Sequence, residues 1–171
     1  KYFDNQTKRY KDCKEVEILL LERKRIIHKA HNKLAVFKKI LDDEFNTRGN
    51  LKYTLVYVPE GIEPNYDDID DYLENQEDIS LINEYTRAVS RTDSSIMVKQ
   101  YTSNTDNRND VIKGFQQGQI DVLTSMKCLD EGVDVPRSEL AIFCASTGNP
   151  RQFIQRRGRV LRNHPDKTFA V

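Results

Sequence analysis

Four short apolar runs constrain what this chain can fold into. They are Thr54-Leu55-Val56-Tyr57-Val58, Ile96-Met97-Val98-Lys99-Gln100-Tyr101, Ile120-Asp121-Val122-Leu123 and Leu140-Ala141-Ile142-Phe143-Cys144-Ala145. Each has the length and the β-branched or aromatic content of a buried strand. Helical patterns separate them. Strands alternating with helices predict an α/β fold, a parallel β-sheet with helices on both faces. Ligands of such sheets bind beyond the carboxyl ends of the strands. The segments following the third and fourth runs are therefore where chemistry is expected.

The helical segments carry their own punctuation. Residues from Tyr10 to Ala30 read as a helix, with Val16, Leu19, Leu20, Ile26, Ile27 and Ala30 at three- and four-residue intervals. Asn32 is a candidate N-cap for a second helix with Leu34, Phe37, Leu41 and Phe45 on one face; Gly49 and Asn50 break it. Residues 1–46 thus form an N-terminal helical segment ahead of the α/β domain, which spans 47–171. Gly61 to Asp78 is acidic and lacks an apolar period, so 59–78 reads as a loop or insertion, with a helix from Ile79 to Val89. Thr105 or Asp106 caps a helix carrying Val111, Ile112 and Phe115, ended by Gly118. Asn149 or Thr147 caps the last helix, with Pro150 in its first turn.

That last helix holds Gln155-Arg156-Arg157-Gly158-Arg159-Val160-Leu161-Arg162, with four arginines in seven positions. With Phe153 at zero and ~100° per residue, Gln155, Arg156, Arg159 and Arg162 fall between about 180° and 300°. Phe153, Ile154, Val160 and Leu161 fall between about 340° and 100°. The pattern predicts a buried apolar face opposite a stripe of guanidinium groups, the side chain best matched to phosphate oxygens. Arg157 lies within the apolar arc, where its stem packs and its head snorkels or pairs with an acid.

This octet resembles motif VI of superfamily 2 helicases, the Gln/His-Arg-x-Gly-Arg-x-x-Arg element. Upstream, Leu123-Thr124-Ser125-Met126-Lys127-Cys128-Leu129-Asp130-Glu131-Gly132-Val133-Asp134-Val135-Pro136 resembles motif V. The resemblance runs from roughly Lys33 to the end. It is closest to the branch that includes XPB-type repair helicases and the motor subunits of restriction enzymes. It implies a RecA-like sheet, the second of two such domains in an ATP-dependent DNA motor. The Gly-rich Lys-Ser/Thr loop and the acidic magnesium motif of a complete motor do not occur. Gly114-Phe115-Gln116-Gln117-Gly118 lacks the following Lys-Ser/Thr, and Asp43-Glu44-Phe45-Asn46 lies in a helical pattern without the last acid. ATP with Mg is then bound mainly by the first RecA-like domain, and this chain alone is expected to be inactive.

The resemblance assigns roles residue by residue. Arg159 and Arg162 take the arginine-finger positions, and Gln155 orients groups near the γ-phosphate. Arg156 occupies the motif's second position, and Gly158 lets the helix approach its neighbours. Asp134 matches a contact to the ribose or to a motif VI arginine, Gly132 allows close backbone approach, and Glu131 ties the loop to the arginine helix. Thr102 and Ser103 resemble positions touching the backbone of the tracking strand. Met126 stands where the family often has a threonine holding a phosphate, which leaves Thr124 and Ser125 to supply the hydroxyl. Lys127 is a phosphate contact or plainly exposed; Arg151 also faces nucleic acid. Arg108 matches an arginine early in its helix, with an ion pair to Asp106 as the alternative.

The formal charge of zero hides an uneven distribution. Residues 1–40 carry twelve Lys/Arg against five Asp/Glu, residues 59–93 two against eleven, and residues 151–171 six against one. The basic blocks suit nucleic acid. The three cysteines, Cys13, Cys128 and Cys144, are far apart, which predicts reduced thiols in a cytoplasmic protein. His28 and His31 lack further ligands at metal spacing, so no metal site is expected. No apolar run is long enough to cross a bilayer. The chain begins at Lys1 and ends in the strand-like Thr168-Phe169-Ala170-Val171, which together suggest a piece of a longer polypeptide. Two other readings stay open: an RNA helicase domain, since several share the Gln-Arg-Arg-Gly-Arg string, and a RecA-like scaffold without turnover.

Overall fold

The computed structural model describes residues 3–4, 9–10, 14–28, 30, 32–59, 71–126, 135–144 and 150–167. In chain order the elements are β1 (Phe3–Asp4), β2 (Arg9–Tyr10), α1 (Lys14–His28), α2 (Asn32–Arg48), β3 (Thr54–Tyr57), α3 (Asp71–Thr92), β4 (Val98–Tyr101), α4 (Arg108–Gln116), β5 (Val122–Ser125), β6 (Leu140–Phe143) and α5 (Pro150–Val160). The four expected strands are β3, β4, β5 and β6. They form one sheet in the order β4-β5-β3-β6, and every pair is parallel. β1 and β2 form a separate antiparallel pair. Tyr10 therefore belongs to a strand, and α1 begins later than the apolar spacing suggests.

Alternate side chains of each strand enter two different cores. On one face Val56, Val58, Val122, Leu140 and Ile142 pack with Phe37 and Leu41 of α2 and Ile82, Tyr85, Ala88 and Val89 of α3. On the other face Leu55, Tyr57, Tyr101 and Leu123 pack with Phe115 of α4, Val135 and Val160 of α5. Two-sided burial is why β3 and β5 are buried at all four positions. The α2 face works as its spacing predicts, since Leu34, Phe37, Leu41 and Phe45 all join the first core. The α1 face does not: Leu19, Leu20, Ile26 and Ile27 are exposed, and Val16 is buried.

Two helix boundaries differ from expectation. α3 starts at Asp71, so the acidic stretch 71–78 is helical backbone and not a loop, while 60–70 lie outside the described residues. An acidic first turn favours a helix N-terminus, which supports starting the helix among those carboxylates. The N-cap of α4 is Asn107 in left-handed conformation (φ 51°), not Thr105 or Asp106. Thr105 instead braces the turn after β4: its hydroxyl oxygen accepts from the Thr102 amide at 2.8 Å. Below the sheet, Arg48 at the end of α2 pairs with Glu139 just before β6 at 2.9 Å, both largely buried. Among the described residues no helix is long and apolar enough to cross a membrane.

Candidate nucleotide and nucleic-acid interface

Register sets Tyr101, Ser125, Tyr57 and Phe143 side by side at the carboxyl ends of the four strands. Tyr57 stacks on Phe143 with ring centroids 4.9 Å apart and planes 6° from parallel. The Arg156 guanidinium lies over the Tyr57 ring, 5.2 Å from its centroid. Arg156 is 3% exposed. A cation over an aromatic face gains about 2 kcal/mol or more when desolvated. This contact seats the middle of α5 on the end of β3.

The seating corrects the expected faces of α5. Arg156 and Val160, one turn apart, point into the sheet; Ile154 is 67% exposed and Leu161 60%. The helix is rotated toward its arginines by roughly a quarter turn relative to the hydropathy pattern. Arg156 is therefore not available at the surface as a ligand contact. Arg157 is exposed. A side chain at Gly158 would meet nothing within 4 Å, so this glycine allows no close approach inside the domain. What remains outward is Gln155 and Arg162, both exposed, with Arg159 half-buried between them. The predicted stripe thus splits: Arg156 is turned in, Arg159 is half-buried with its Nε enclosed, and Arg162 lies on the solvent side of the helix. Lys167 donates to the carbonyls of Val160 and, at 3.1 Å, Arg162, closing the end of α5 with a cation. Burial holds the Lys167 ammonium below its ordinary value, against the opposing pull of Glu139.

The candidate nucleic-acid residues are placed as follows. Thr124 is fully buried, and its hydroxyl lies 2.8 Å from that of Thr86 on α3. Ser125 is also fully buried, and its Oγ has no hydrogen-bond partner. Neither hydroxyl reaches the surface, which corrects the expectation that they contact phosphate. Thr102 is half-buried and Ser103 exposed, in a turn closed by Thr105 N–H to Thr102 O at 3.2 Å. Arg108 donates to the Thr102 carbonyl at 3.0 Å and sits 5.7 Å over the Tyr101 ring, so it braces that turn and does not pair with Asp106. Lys127, Glu131, Gly132 and Asp134 lie outside the described residues, as do Thr147 and Asn149. Arg151 lies on α5, but its side chain is outside the described set. Sequence reasoning missed Tyr57, Phe143, Thr86 and Gln100. The usable signal was a tyrosine ending a strand otherwise made of aliphatic residues.

A cavity of about 270 Å³ opens on the other side of the sheet, between the start of α2 and the end of β6. Val36, Phe37, Ile40 and Ile142 line it, with Lys33 and Cys144 at its polar end. Burial pushes the Cys144 thiol up to about 12, partly offset by the Lys33 ammonium. Burial also lowers Lys33. Phe143 lines it as well, so the cavity adjoins the residue that stacks on Tyr57.

A RecA-like helicase domain is the class that this sheet and this arginine helix define. The chain belongs to the helicase conserved C-terminal domain family, whose model matches residues 65–164. It is similar to the DNA 3'-5' translocase XPB2 of Sulfurisphaera tokodaii, 37% identical over 76 residues, 44% of this chain and 17% of that protein. It is also similar to UvrABC system protein B of Metamycoplasma arthritidis, 36% identical over 69 residues, 36% of this chain and 10% of that protein. The chain therefore matches only a small part of the length of these relatives. Among solved structures, Mss116p DEAD-box helicase domain 2 bound to an RNA duplex superposes with a TM-score of 0.59 at 11% identity, covering 81% of this chain and 48% of that one. The Pyrococcus furiosus Hef helicase domain gives 0.50 at 21% identity, covering 82% and 26%. These likenesses establish the fold.

Proposed function

We propose that this domain is the second RecA-like motor domain of an ATP-dependent DNA helicase or translocase of repair or restriction type. Family membership, combined with the outward Gln155–Arg159–Arg162 side of α5, carries the reading. ATP with Mg is held mainly on the first RecA-like domain of the same polypeptide. Arg159 and Arg162 reach across the cleft to the β/γ-phosphates, and Gln155 orients groups beside the γ-phosphate. Charge accumulates on the transferred phosphoryl and leaving oxygens, and a prepositioned guanidinium stabilises it without reorganisation. Arg156 has a different part: seated on Tyr57, it fixes the rotation of α5 that turns Arg159 and Arg162 outward. Asp134 contacts the ribose or a motif VI arginine, Gly132 lets the backbone approach, and Glu131 ties the loop to α5.

Thr102, Ser103, Lys127 and Arg151 contact the sugar-phosphate backbone. Backbone contacts of this kind give salt-dependent, sequence-tolerant binding suited to stepping along a strand. DNA is favoured over RNA by the similarity to the archaeal DNA translocase. The test is ATPase activity of the full polypeptide with and without single-stranded DNA, duplex DNA and RNA. DNA stimulation exceeding RNA stimulation supports the reading, and stimulation by RNA alone assigns an RNA motor. Turnover indifferent to every nucleic acid overturns it. This chain by itself should show no ATPase above background, since half of the nucleotide site lies elsewhere.

A further inference from the structure

Gln100 of β4 and Thr124 of β5 are direct register partners on neighbouring parallel strands. One hydroxyl on α3 contacts both. Thr86 Oγ1 lies 2.8 Å from Thr124 Oγ1 and 3.2 Å from Gln100 Nε2. It also donates to the Ile82 carbonyl at 2.7 Å. A hydroxyl has one proton and two lone pairs. With the proton on Ile82 O, Thr86 must accept from both strands, so Thr124 is the donor in the shared bond. The second amide proton of Gln100 goes to Asn83 Oδ1 at 2.8 Å. The Thr86 hydroxyl is thereby saturated, and no alternative proton arrangement satisfies all four contacts. Thr124 is fully buried, where an unmade hydrogen bond costs about 1–3 kcal/mol.

The position of this hub gives it a consequence. Two residues past Gln100 begin Thr102 and Ser103, in the turn that follows β4. That turn is one of the segments proposed above to hold nucleic-acid backbone, and β5, which carries Thr124, is the strand paired beside β4. We propose that Thr86 is a positioning residue: it ties the ends of β4 and β5 to α3 and so fixes where the Thr102–Ser103 turn meets the nucleic-acid backbone. The inference rests on the motor reading and concerns only how this domain grips the strand. Thr86 touches neither the nucleotide side of α5 nor any reacting atom.

The test measures ATPase of the full polypeptide against DNA concentration for Thr86→Val, Thr86→Ser and Gln100→Leu, with circular dichroism as the folding control. Thr86→Val keeps shape and removes the hub. It should raise the DNA concentration for half-maximal stimulation by roughly tenfold, the affinity worth of about one well-made polar contact, while DNA-free turnover and the maximal rate stay near parental, since the hub acts on how the strand is held and not on the reacting atoms. Thr86→Ser keeps the hydroxyl and should restore half-saturation. Gln100→Leu removes one arm, should give a smaller rise, and decides the case if Thr86→Val does not fold. A parental half-saturation point in folded Thr86→Val, or in Gln100→Leu when only that variant folds, overturns the proposal. So does a rise in Thr86→Ser equal to that in Thr86→Val. A parent polypeptide without DNA stimulation sinks the motor reading instead, which separates the two failures.

Discussion

Arg156 is held face-on to Tyr57, its guanidinium carbon 5.2 Å from the ring centroid, in a position only 3% exposed. Tyr57 in turn stacks on Phe143, so one helix and two strands are joined through a cation and two rings. This relationship sets which arginines of α5 look outward.

Replacing Arg156 therefore tests packing. Arg156→Ala should destabilise the domain by about 2 kcal/mol or more, and Arg156→Lys by less, because an ammonium keeps the charge but not the planar stacking surface. Arg162→Ala, at an exposed position, should stay within about 0.5 kcal/mol of the parent. Urea unfolding of the three variants measures the difference. Equal stability of Arg156→Ala and Arg162→Ala contradicts the inward placement.

Two glycines separate backbone strain from contact. Gly49 and Gly118 both have left-handed backbone, φ 71° and 72°. A Cβ at Gly49 meets open space, whereas one at Gly118 comes within 2.8 Å of the Tyr53 hydroxyl. Gly49→Ala should cost about 1–2 kcal/mol from conformation alone. Gly118→Ala should cost more, since Tyr53 is itself held between the Arg137 guanidinium and the edge of Phe115. Thermal melts of the two variants rank them, and equal losses would show that Tyr53 yields freely.

Cys144 supplies a pH dependence. Its thiol is raised by burial from an ordinary 9.0 to about 12. The folded state therefore favours the neutral thiol. That preference is fully present below pH 9 and is lost as pH rises toward 12. At pH 8 alkylation of Cys144 should be slow, and its rate should climb about tenfold per pH unit with the thiolate fraction. Peptide-level mass spectrometry after iodoacetamide labelling follows it. Rapid labelling near pH 8 contradicts the buried thiol.

The sheet was legible in the sequence chiefly through β3 and β5, which are buried at every position, whereas β4 exposes Lys99. The α2 face was legible for a similar reason: Phe37 and Leu41 meet only apolar neighbours. The rotation of α5 was not. A hydropathy wheel places Arg156 on the polar arc, and it turns inward where Tyr57 and Phe143, far apart in sequence, meet on neighbouring strands. Thr124 and Ser125 misled in the opposite way. Hydroxyls beside a ligand motif look available, yet strand register buries both, and the partner of Thr124 lies 38 residues earlier on α3. The start of α3 was missed because acidic residues without an apolar period leave no helical signature. The β1–β2 pair, two residues a side, is too short to leave one.

The arginine-finger role of Arg159 and Arg162 is tested by DNA-stimulated ATP turnover of the full polypeptide carrying Arg159→Ala or Arg162→Ala. The account predicts that ATP binding survives while turnover falls by roughly 10³–10⁵, the usual worth of an arginine finger. Parental turnover in both variants would contradict it.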